Sequence, residues 1–353
     1  MKTYYRLLLL FAFFGATFAS CSTDVDIYTD YKDVAIIYGL LNYQADTNYI
    51  KITRAFCGTN DNPINANEVA LIADSSNYPG KLEARLIELK SGIGGTYEPT
   101  GREFVLDTMT IHNKEEGTFY SPDQKVYYTT ERFNASANGS RYKYRLIVAK
   151  PDGDTVTAQT TMVGDEEFRI LSGSADFQLA HTNSLGKIVF KADGMASLYD
   201  VKVQFNYSEQ HAGGEMKWKN VSRSFGTKTL DKYQQEEGTQ NTYYLSYSLN
   251  WLFNALESAI GSDTVVDGNH PNVVRHIGSF VISISAGGDD MGIYYSAHQA
   301  QLNSPMSLIT MYTNIEGGYG LFSSRTTIEK SVKLTNFATR DLYSVTAWGF
   351  KEQ

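Results

Sequence analysis

Short alternations of apolar and polar residues run along most of the chain and predict a mainly β protein. In the first half, such patterns mark strands at 34–41, 48–54, 81–89, 103–109, 125–130 and 141–161. The continuous apolar run at 34–41 predicts a strand buried on both faces, whereas 48–54 alternates as a half-buried strand does. Short strands separated by polar turns favour two packed sheets.

The clearest single element is the hairpin at 141–161. Tyr144, Leu146 and Val148 alternate along its first strand, and Pro151-Asp152-Gly153-Asp154 supplies the turn. A Tyr-x-Leu-x-Val strand, a glycine turn and a Thr/Ala return strand resemble the last two strands of an immunoglobulin or fibronectin III sandwich. In that fold a tyrosine of this kind forms a corner. We therefore predict an Ig-like β-sandwich over 33–163.

A second, β-rich domain with one or two short helices is predicted over 164–353, after the boundary at Gly164-Asp165-Glu166-Glu167. Apolar residues at helical spacing predict a helix over 248–260, and Asp289-Asp290 precede a second helix at 291–302. The remaining alternating segments predict strands at 187–192, 198–207, 215–222, 241–247, 274–285, 325–334 and 340–348.

The N-terminus has the organisation of an export signal. Lys2 and Arg6 precede the apolar run 7–14, which is too short to cross a bilayer. Phe18-Ala19-Ser20-Cys21 resembles the lipobox of bacterial lipoproteins, which implies cleavage after residue 20 and a lipid anchor on Cys21. The alternative is an ordinary cleaved signal peptide. Residues 21–32 would then form a short acidic tether.

Charge and cysteine content exclude several classes of partner. The net charge is −8, and cleavage before Cys21 leaves 29 basic and 39 acidic residues, a net charge of −10. That balance argues against nucleic-acid binding and against electrostatic docking on anionic lipid. With Cys21 lipidated, Cys57 is the single remaining cysteine and no internal disulfide can form. The 25 tyrosines suit both an extracellular β protein and an external binding surface.

No sequence motif indicates a catalytic residue, a metal site or a cofactor. The histidines have no zinc-ligand spacing, and no nucleophile elbow, P-loop or dinucleotide fingerprint occurs. Paired carboxylates for glycoside hydrolysis can come from distant strands. The adjacent pairs Asp289-Asp290 and Glu236-Glu237 are better explained as a helix start and an exposed turn.

The most distinctive downstream segment is 314–322, in which Gly317, Gly318 and Gly320 lie among aromatic residues. Glycines at this density permit a bulge or a close approach of the backbone to another group. One interpretation is a binding surface formed by these glycines and Tyr319, with Tyr312 nearby. The other is a tight strand entry that buries residues 321 and 322 in the core.

Taken together, the lipobox, the 34–41 and 48–54 strand pair, the Tyr-x-Leu-x-Val…Asp-Gly hairpin and the Asn314–Phe322 segment resemble a known family. Its members are Bacteroidetes outer-membrane lipoproteins, classed as a domain of unknown function and often encoded beside TonB-dependent receptors. The acidic residues Asp24, Asp26 and Asp30 also resemble the surface-export signals of such lipoproteins. The resemblance implies an outer-membrane location and display at the cell surface.

The sequence therefore favours a non-enzymatic binding or accessory module. Its partners would be the membrane, through Cys21, and an outer-membrane TonB-dependent receptor. An adhesin or fimbrial subunit is the alternative, and a hydrolase with dispersed carboxylates is a third hypothesis.

Overall fold

The computed structural model describes residues 33–55, 66–72, 75–117, 120–121, 123–136, 138–173, 185–248, 250–260, 273–302, 312–345 and 348–351. Over these residues the protein is mainly β, as predicted. The predicted signal peptide, the predicted tether, Cys21 and Cys57 lie outside the described residues, so the predictions made for them stay predictions.

The first part of the chain forms two sheets that share one core. Its strands are β1 (Ala35–Leu41), β2 (Asn48–Arg54), β3 (Glu83–Ser91), β4 (Tyr97–Val105), β5 (Asp107–Ile111), β6 (Gln124–Thr129), β7 (Tyr142–Ala149) and β8 (Thr155–Thr161). One sheet contains β1-β2-β6-β5 and the other contains β8-β7-β3-β4. Inward side chains of both sheets, such as Ile37, Ile52, Leu86 and Leu146, belong to a single buried cluster. One face of each sheet is thus buried against the other, mainly through alternate residues of β1, β2, β3, β6, β7 and β8.

The second part of the chain adds one separate sheet, extends the two sheets of the first part, and contains most of the helices. Its strands are β9 (Arg169–Ile170), β10 (Leu185–Lys191), β11 (Ala196–His211), β12 (Lys217–Thr229), β13 (Gln234–Gln235), β14 (Thr242–Ser248), β15 (Val273–Gly288), β16 (Ile315–Glu316) and β17 (Gly318–Val332). The helices of the described chain are α1 (Ala66–Ala70), α2 (Asn250–Ile260), α3 (Asp289–Leu302) and α4 (Asn336–Ser344). A second core joins β10 and β14 to β11 and β15, with α2 and α4 packed into it through Leu256 and Leu342.

One long strand, β17, belongs to both parts of the molecule. Residues 318–324 pair in parallel with β1, and residues 325–332 pair antiparallel with β15. The result is a continuous eight-stranded sheet in the order β12-β11-β15-β17-β1-β2-β6-β5. β16 also pairs with β8 at the edge of the opposite sheet. Strand pairing therefore crosses the predicted boundary at 163/164, because the sheets of β1–β8 are completed by residues 315–324.

Buried polar groups hold the junction between the two parts. The backbone N–H groups of Gly164 and Asp165 both donate to Oδ2 of Asp193 at 2.7 Å, and Met195 N–H donates to Oδ1 at 2.7 Å. Burial raises the pKa of Asp193 and outweighs these three donors, which lower it. Ser324 on β17 accepts from Val163 N–H at 2.9 Å. The junction is thus fixed by directional hydrogen bonds from both sides.

The structure corrects one predicted element near the C-terminus. The predicted strand at 340–348 is largely helix, because α4 spans Asn336–Ser344. Thr335 begins this helix by accepting a hydrogen bond from Ala338 N–H at 3.3 Å. Ala338 and Leu342, four residues apart, point into the second core. Spacing of i, i+4 on one face is helical, and over so short a segment the same apolar positions also fit alternation.

Candidate functional site

Three tyrosines on adjacent strands point away from the core and lie exposed on the outer side of the eight-stranded sheet. Tyr38 on β1, Tyr49 on β2 and Tyr319 on β17 are 42%, 44% and 50% exposed. We call these three residues the tyrosine face. Large aromatic rings are usually covered, so three half-exposed rings on one side of a sheet mark a surface able to contact another molecule.

Strand register explains why these rings share one side. Along β1, burial alternates, so that residues 35, 37 and 41 enter the core and Tyr38 faces outward. Tyr38 lies opposite Leu321 of β17, and Ile36 lies opposite Tyr319. Paired residues on neighbouring strands point to the same side, so Tyr38 and Tyr319 are diagonal neighbours. The prediction that 34–41 is buried on both faces is therefore wrong at Tyr38.

Next to the tyrosine face lies a shallow depression of about 400 Å³. Tyr38 and Tyr49 line it together with Leu321, Arg325 and the turn that connects β1 to β2. Arg325 is exposed and brings a positive charge to the rim. Aromatic walls, an apolar floor and one guanidinium suit a ligand or protein segment with apolar groups and an acceptor at one end.

Helix α3 borders the tyrosine face. Burial first, and then the neighbouring Tyr294 of α3, raises the pKa of Tyr38. The helix packs closely on the sheet, since a Cβ at Gly287 would lie 2.7 Å from Sδ of Met291. On its other side, Tyr295 donates to the carbonyl of Thr227 at 2.8 Å. The helix is thereby held against both β15 and β12.

Tyr312 contacts the start of α3. Its hydroxyl donates to Oδ1 of Asp290 at 2.6 Å, and burial, followed by the negative charge of Asp290, raises the pKa of Tyr312. Asp289 and Asp290 form the first turn of the helix, as the sequence predicted. Carboxylates at this end complement the positive pole of the helix dipole. Tyr312 therefore serves the anchoring of α3, which in turn borders the tyrosine face.

The glycines of the 314–322 segment permit close pairing of β17 with β1. A Cβ at Gly318 would lie 2.6 Å from the carbonyl oxygen of Ala35, and at Gly320 it would lie 1.9 Å from that of Ile37. Gly317, with φ +80°, makes the turn between β16 and β17. These positions satisfy the expectation of a close backbone approach, and the approaching group is β1. Contact of the three glycines with a ligand stays a prediction.

The asparagine at the start of the segment also has a structural role. Asn314 Nδ2 donates to the carbonyl of Phe322 at 2.7 Å, and Phe322 N–H donates back to Asn314 Oδ1 at 2.9 Å. Phe322 itself is fully buried in the first core. This clamp fixes the turn that sets Tyr319 on the outer side of the sheet.

The sequence indicated Tyr319 but not its two companions. Tyr38 lies within an apolar run, and Tyr49 has the outward position expected in any half-buried strand. The exposed, alternating position of Tyr49 was the available indication, but no local pattern shows that β17 lies beside β1. The grouping of the three rings depends on that pairing.

Two buried carboxylates elsewhere form structural networks. Glu88 accepts hydrogen bonds from the Tyr144 hydroxyl at 2.7 Å, Arg102 at 2.9 Å and Asn134 Nδ2 at 3.0 Å through one oxygen. The other oxygen accepts from Thr100 at 2.9 Å. Burial first, and then the neighbouring Glu88 carboxylate, raises the pKa of Tyr144, so this hydroxyl remains a donor.

The second carboxylate, Glu209, lies in the other core region. Burial favours a higher pKa for Glu209, but hydrogen bonds from Lys219, Arg275 and His211 outweigh it and lower the pKa to about 2. Arg275 is fully buried and also donates to the carbonyl of Trp348 at 2.8 Å. Both carboxylates have cations or donors on each oxygen, which suits a structural role more than proton transfer.

Metal-ligating groups do not converge within the described ranges: no three His, Cys, Asp or Glu side chains lie close enough together to hold an ion. Among the helices described, none has the length and hydropathy that crossing a membrane requires. No protein-family model matches this chain, and no curated protein matches it significantly.

Proposed function

We propose that this protein is a lipid-anchored binding module that presents the tyrosine face to a partner at the bacterial outer membrane. The observation that carries the proposal is the grouping of Tyr38, Tyr49 and Tyr319, each about half exposed, on the outer side of the eight-stranded sheet. Tyrosine offers a large, rigid contact area at low entropic cost, with a hydroxyl for hydrogen bonding. A TonB-dependent receptor is the partner that the sequence resemblance implies.

The size of the face suggests how such a contact would work. Three tyrosines with nearly half of each side chain exposed offer roughly 250 Å² for burial. At ~25 cal/mol per Å², complete burial would contribute about 6 kcal/mol. Because association costs about 4–15 kcal/mol, the face alone supports a weak contact. A lipid anchor on Cys21 would compensate by confining the protein and its partner to one membrane.

The described part of the chain begins close to this face. Asp33, just before β1, is held by Lys150 Nζ on its carbonyl at 3.0 Å and by the Tyr78 hydroxyl on its carboxylate at 2.8 Å. Tyr38 follows five residues later on β1. A fully extended 21–32 segment would span about 40 Å. In the proposed arrangement the tyrosine face therefore stays within reach of an outer-membrane receptor.

We also propose that the sheets of β1–β8 have the immunoglobulin or fibronectin III arrangement. The orders β1-β2-β6-β5 and β8-β7-β3-β4 correspond to strands A-B-E-D and G-F-C-C′ of that fold. The hydroxyl of Tyr144, near the start of β7, accepts from Asn134 N–H at 2.7 Å in the β6–β7 connection. That contact supports the tyrosine-corner role predicted for this residue.

The edge strands of the two β1–β8 sheets are relevant to the alternative hypothesis, in which the protein is an adhesin or fimbrial subunit. The chain's own β17 pairs with β1, and its own β16 pairs with β8. Strand exchange between copies starts at unpaired sheet edges. Because the same chain covers the edges at β1 and β8, strand exchange between copies would have to use β4 or β5, the terminal strands at the other ends of the two sheets.

Site-specific crosslinking tests the proposed function. A photoreactive residue replaces Tyr319 in the full-length lipoprotein expressed in a Bacteroidetes host, and crosslinks are collected from the outer-membrane fraction. Ile93, fully exposed on the β3–β4 turn, is the matched control position. We expect an outer-membrane receptor to be captured from position 319 and not from position 93.

Alanine variants supply the second arm of this experiment. The Tyr38→Ala and Tyr49→Ala changes should each reduce capture from position 319, since they shrink the shared apolar surface. Equal capture from positions 319 and 93, or capture that is unaffected by either alanine change, would contradict the proposed function.

A further inference from the structure

Another exposed aromatic residue lies on the eight-stranded sheet, at the opposite end from the tyrosine face. Trp218 on β12 is 68% exposed, whereas Trp251 and Trp348 are each 7% exposed. Trp218 pairs with Ser208, which pairs with His276 of β15. The path to the tyrosine face covers four residues of β15, up to Phe280, which pairs with Val332. It then covers eleven residues of β17, up to Leu321, which lies opposite Tyr38. At about 3.3 Å per residue this is roughly 50 Å along the strands. Trp218 therefore belongs to a separate surface.

The indole of Trp218 lies along the sheet. Trp218 pairs with Ser208 of β11, and yet its Cζ3 atom reaches β15, the next strand over, where a Cβ at Gly278 would lie only 2.9 Å away. The same Cβ would lie 2.6 Å from the carbonyl oxygen of Asn206. The absence of a side chain at Gly278 thus gives the ring room to lie across β11. One broad side of the ring is left to solvent.

A bulge places fixed polar groups beside the ring. Phe205 pairs with Phe280 and Tyr207 with Ile277, so two residues of β15, Gly278 and Ser279, lie opposite Asn206. Asn206 Nδ2 donates to Ser279 Oγ at 3.1 Å, and Gln204 Nε2 donates to Asn206 Oδ1 at 2.8 Å. These bonds orient the two amides, each of which has further donor and acceptor capacity.

On β11 and β12 the side chains beside the ring are uncharged, and His276 of β15, which pairs with Ser208, is a titratable group on the same side. Asn220 and Ser222 follow Trp218 on the same side of β12, and they pair with Asn206 and Gln204. The charged residues at this level point to the opposite side, where Glu209 accepts from Lys219 at 2.6 Å and from Arg275 at 2.8 Å. Along β11, the first charge on the Trp218 side is Lys202, one step beyond Gln204.

We propose that Trp218, with Asn206, Gln204 and Asn220, forms a binding surface for a neutral oligosaccharide. A pyranose ring has an apolar side of C–H groups that can stack on the indole, and a rim of hydroxyls that pair with amide donors and acceptors. The flat aromatic ring, the oriented amides and the lack of Lys, Arg, Asp or Glu beside the ring on this side of β11 and β12 together match this chemistry. An acidic polysaccharide or a phosphate-bearing ligand would find no lysine or arginine of these two strands beside the ring. This surface is independent of the tyrosine face and of the function proposed for it.

Trp218 itself provides the reporter for the first test. Iodide quenches exposed indoles by collision, and the other two tryptophans are buried, so quenching reports on Trp218 in the wild-type chain. The probes are maltohexaose, cellohexaose and mannohexaose at millimolar concentration, with a heparin-derived hexasaccharide as the charged comparison. We expect at least one neutral hexasaccharide to protect Trp218 severalfold and the heparin fragment to give no protection.

Calorimetric titration of variants provides the second test. The Trp218→Ala change should weaken the binding of the protective hexasaccharide by about tenfold or more, and Trp218→Phe should retain part of it. Tyr319→Ala, at the other end of the sheet, should bind as the wild type does. Near-ultraviolet circular dichroism of Trp251 and Trp348 verifies that each variant is folded.

Three outcomes would overturn the proposal. They are no protection by any of the three neutral sugars, equal protection by the heparin fragment, and unchanged sugar binding by Trp218→Ala. A concentration-dependent self-association that Trp218→Ala abolishes would also overturn it, because the ring would then serve a protein contact.

Discussion

Replacing Tyr144 by phenylalanine removes one hydroxyl from the centre of the first buried polar network. That hydroxyl donates to Glu88 Oε2 at 2.7 Å and accepts from Asn134 N–H at 2.7 Å. The ring packs against Phe104 and Phe133, with centroids 6.0 and 4.7 Å away. Phenylalanine can keep those ring contacts, so the change isolates the two hydrogen bonds.

The expected loss follows from what each partner retains. A hydrogen bond to a charged acceptor contributes about 1.5–3 kcal/mol, and the partly buried Asn134 N–H left without its acceptor costs about 1 kcal/mol more. Glu88 keeps Arg102, Thr100 and Asn134 Nδ2 as donors. The Glu88 carboxylate therefore still has hydrogen-bond donors on both oxygens. We expect the free energy of unfolding to fall by about 2–4 kcal/mol.

Urea unfolding, followed by far-ultraviolet circular dichroism and by tryptophan fluorescence, measures this loss. Trp218, Trp251 and Trp348 all lie in the second part of the chain, so fluorescence reports on that part. Because β17 is shared, we expect both probes to shift together. Tyr142→Phe, on the same strand with a half-buried ring, is the control and should cost about 0.5 kcal/mol or less. A loss below about 1 kcal/mol, or one equal to the control, would refute the proposed role of the hydroxyl.

Three further changes test other parts of the structure. Gly320→Ala brings a Cβ within 1.9 Å of the Ile37 carbonyl oxygen, at a φ of +121°. The free energy of unfolding in urea should therefore fall by at least about 3 kcal/mol. An unfolding midpoint equal to that of the wild type would contradict the tight β1–β17 pairing. The pKa of Glu209 is lowered from 4.5 to about 2, so its stabilisation is present above pH 4.5 and is lost as the pH falls toward 2. That loss should amount to about 3 kcal/mol between these limits and be absent in Glu209→Gln when unfolding is measured across this pH range. Thr335→Ala removes the N-cap of α4 and should lower the free energy of unfolding by about 1 kcal/mol, whereas Thr335→Ser should restore most of it.

Local patterns predicted those elements whose neighbours in space are also neighbours in sequence. The β7–β8 hairpin follows from alternation around Tyr144 and a Pro-Asp-Gly turn, and the structure pairs Lys143 with Thr161 through Ala149 with Thr155. Helix α2 follows from apolar residues at helical spacing, and it occupies Asn250–Ile260. In both elements, backbone propensity and burial of one face indicate the same structure.

The 340–348 segment shows where such patterns are ambiguous. Its apolar positions fit alternation about as well as they fit helical spacing, because the segment is short. The decision comes from Thr335, which caps the helix, and from the second core, which receives Ala338 and Leu342. Tertiary burial overrides a weak local preference in such cases.

The sequence by itself determined the β-rich build and most of the separate strands, and it showed that the glycines of 314–322 permit a bulge or a close backbone approach. Only the tertiary structure decided that the approaching backbone is β1, and that Tyr38 and Tyr319 thereby meet on one surface. The physical reason is that a period of two specifies which side of a strand is buried, whereas the choice of partner strand depends on contacts almost 300 residues apart. Exposure of the outer side depends likewise on what covers it, and no local pattern encodes that.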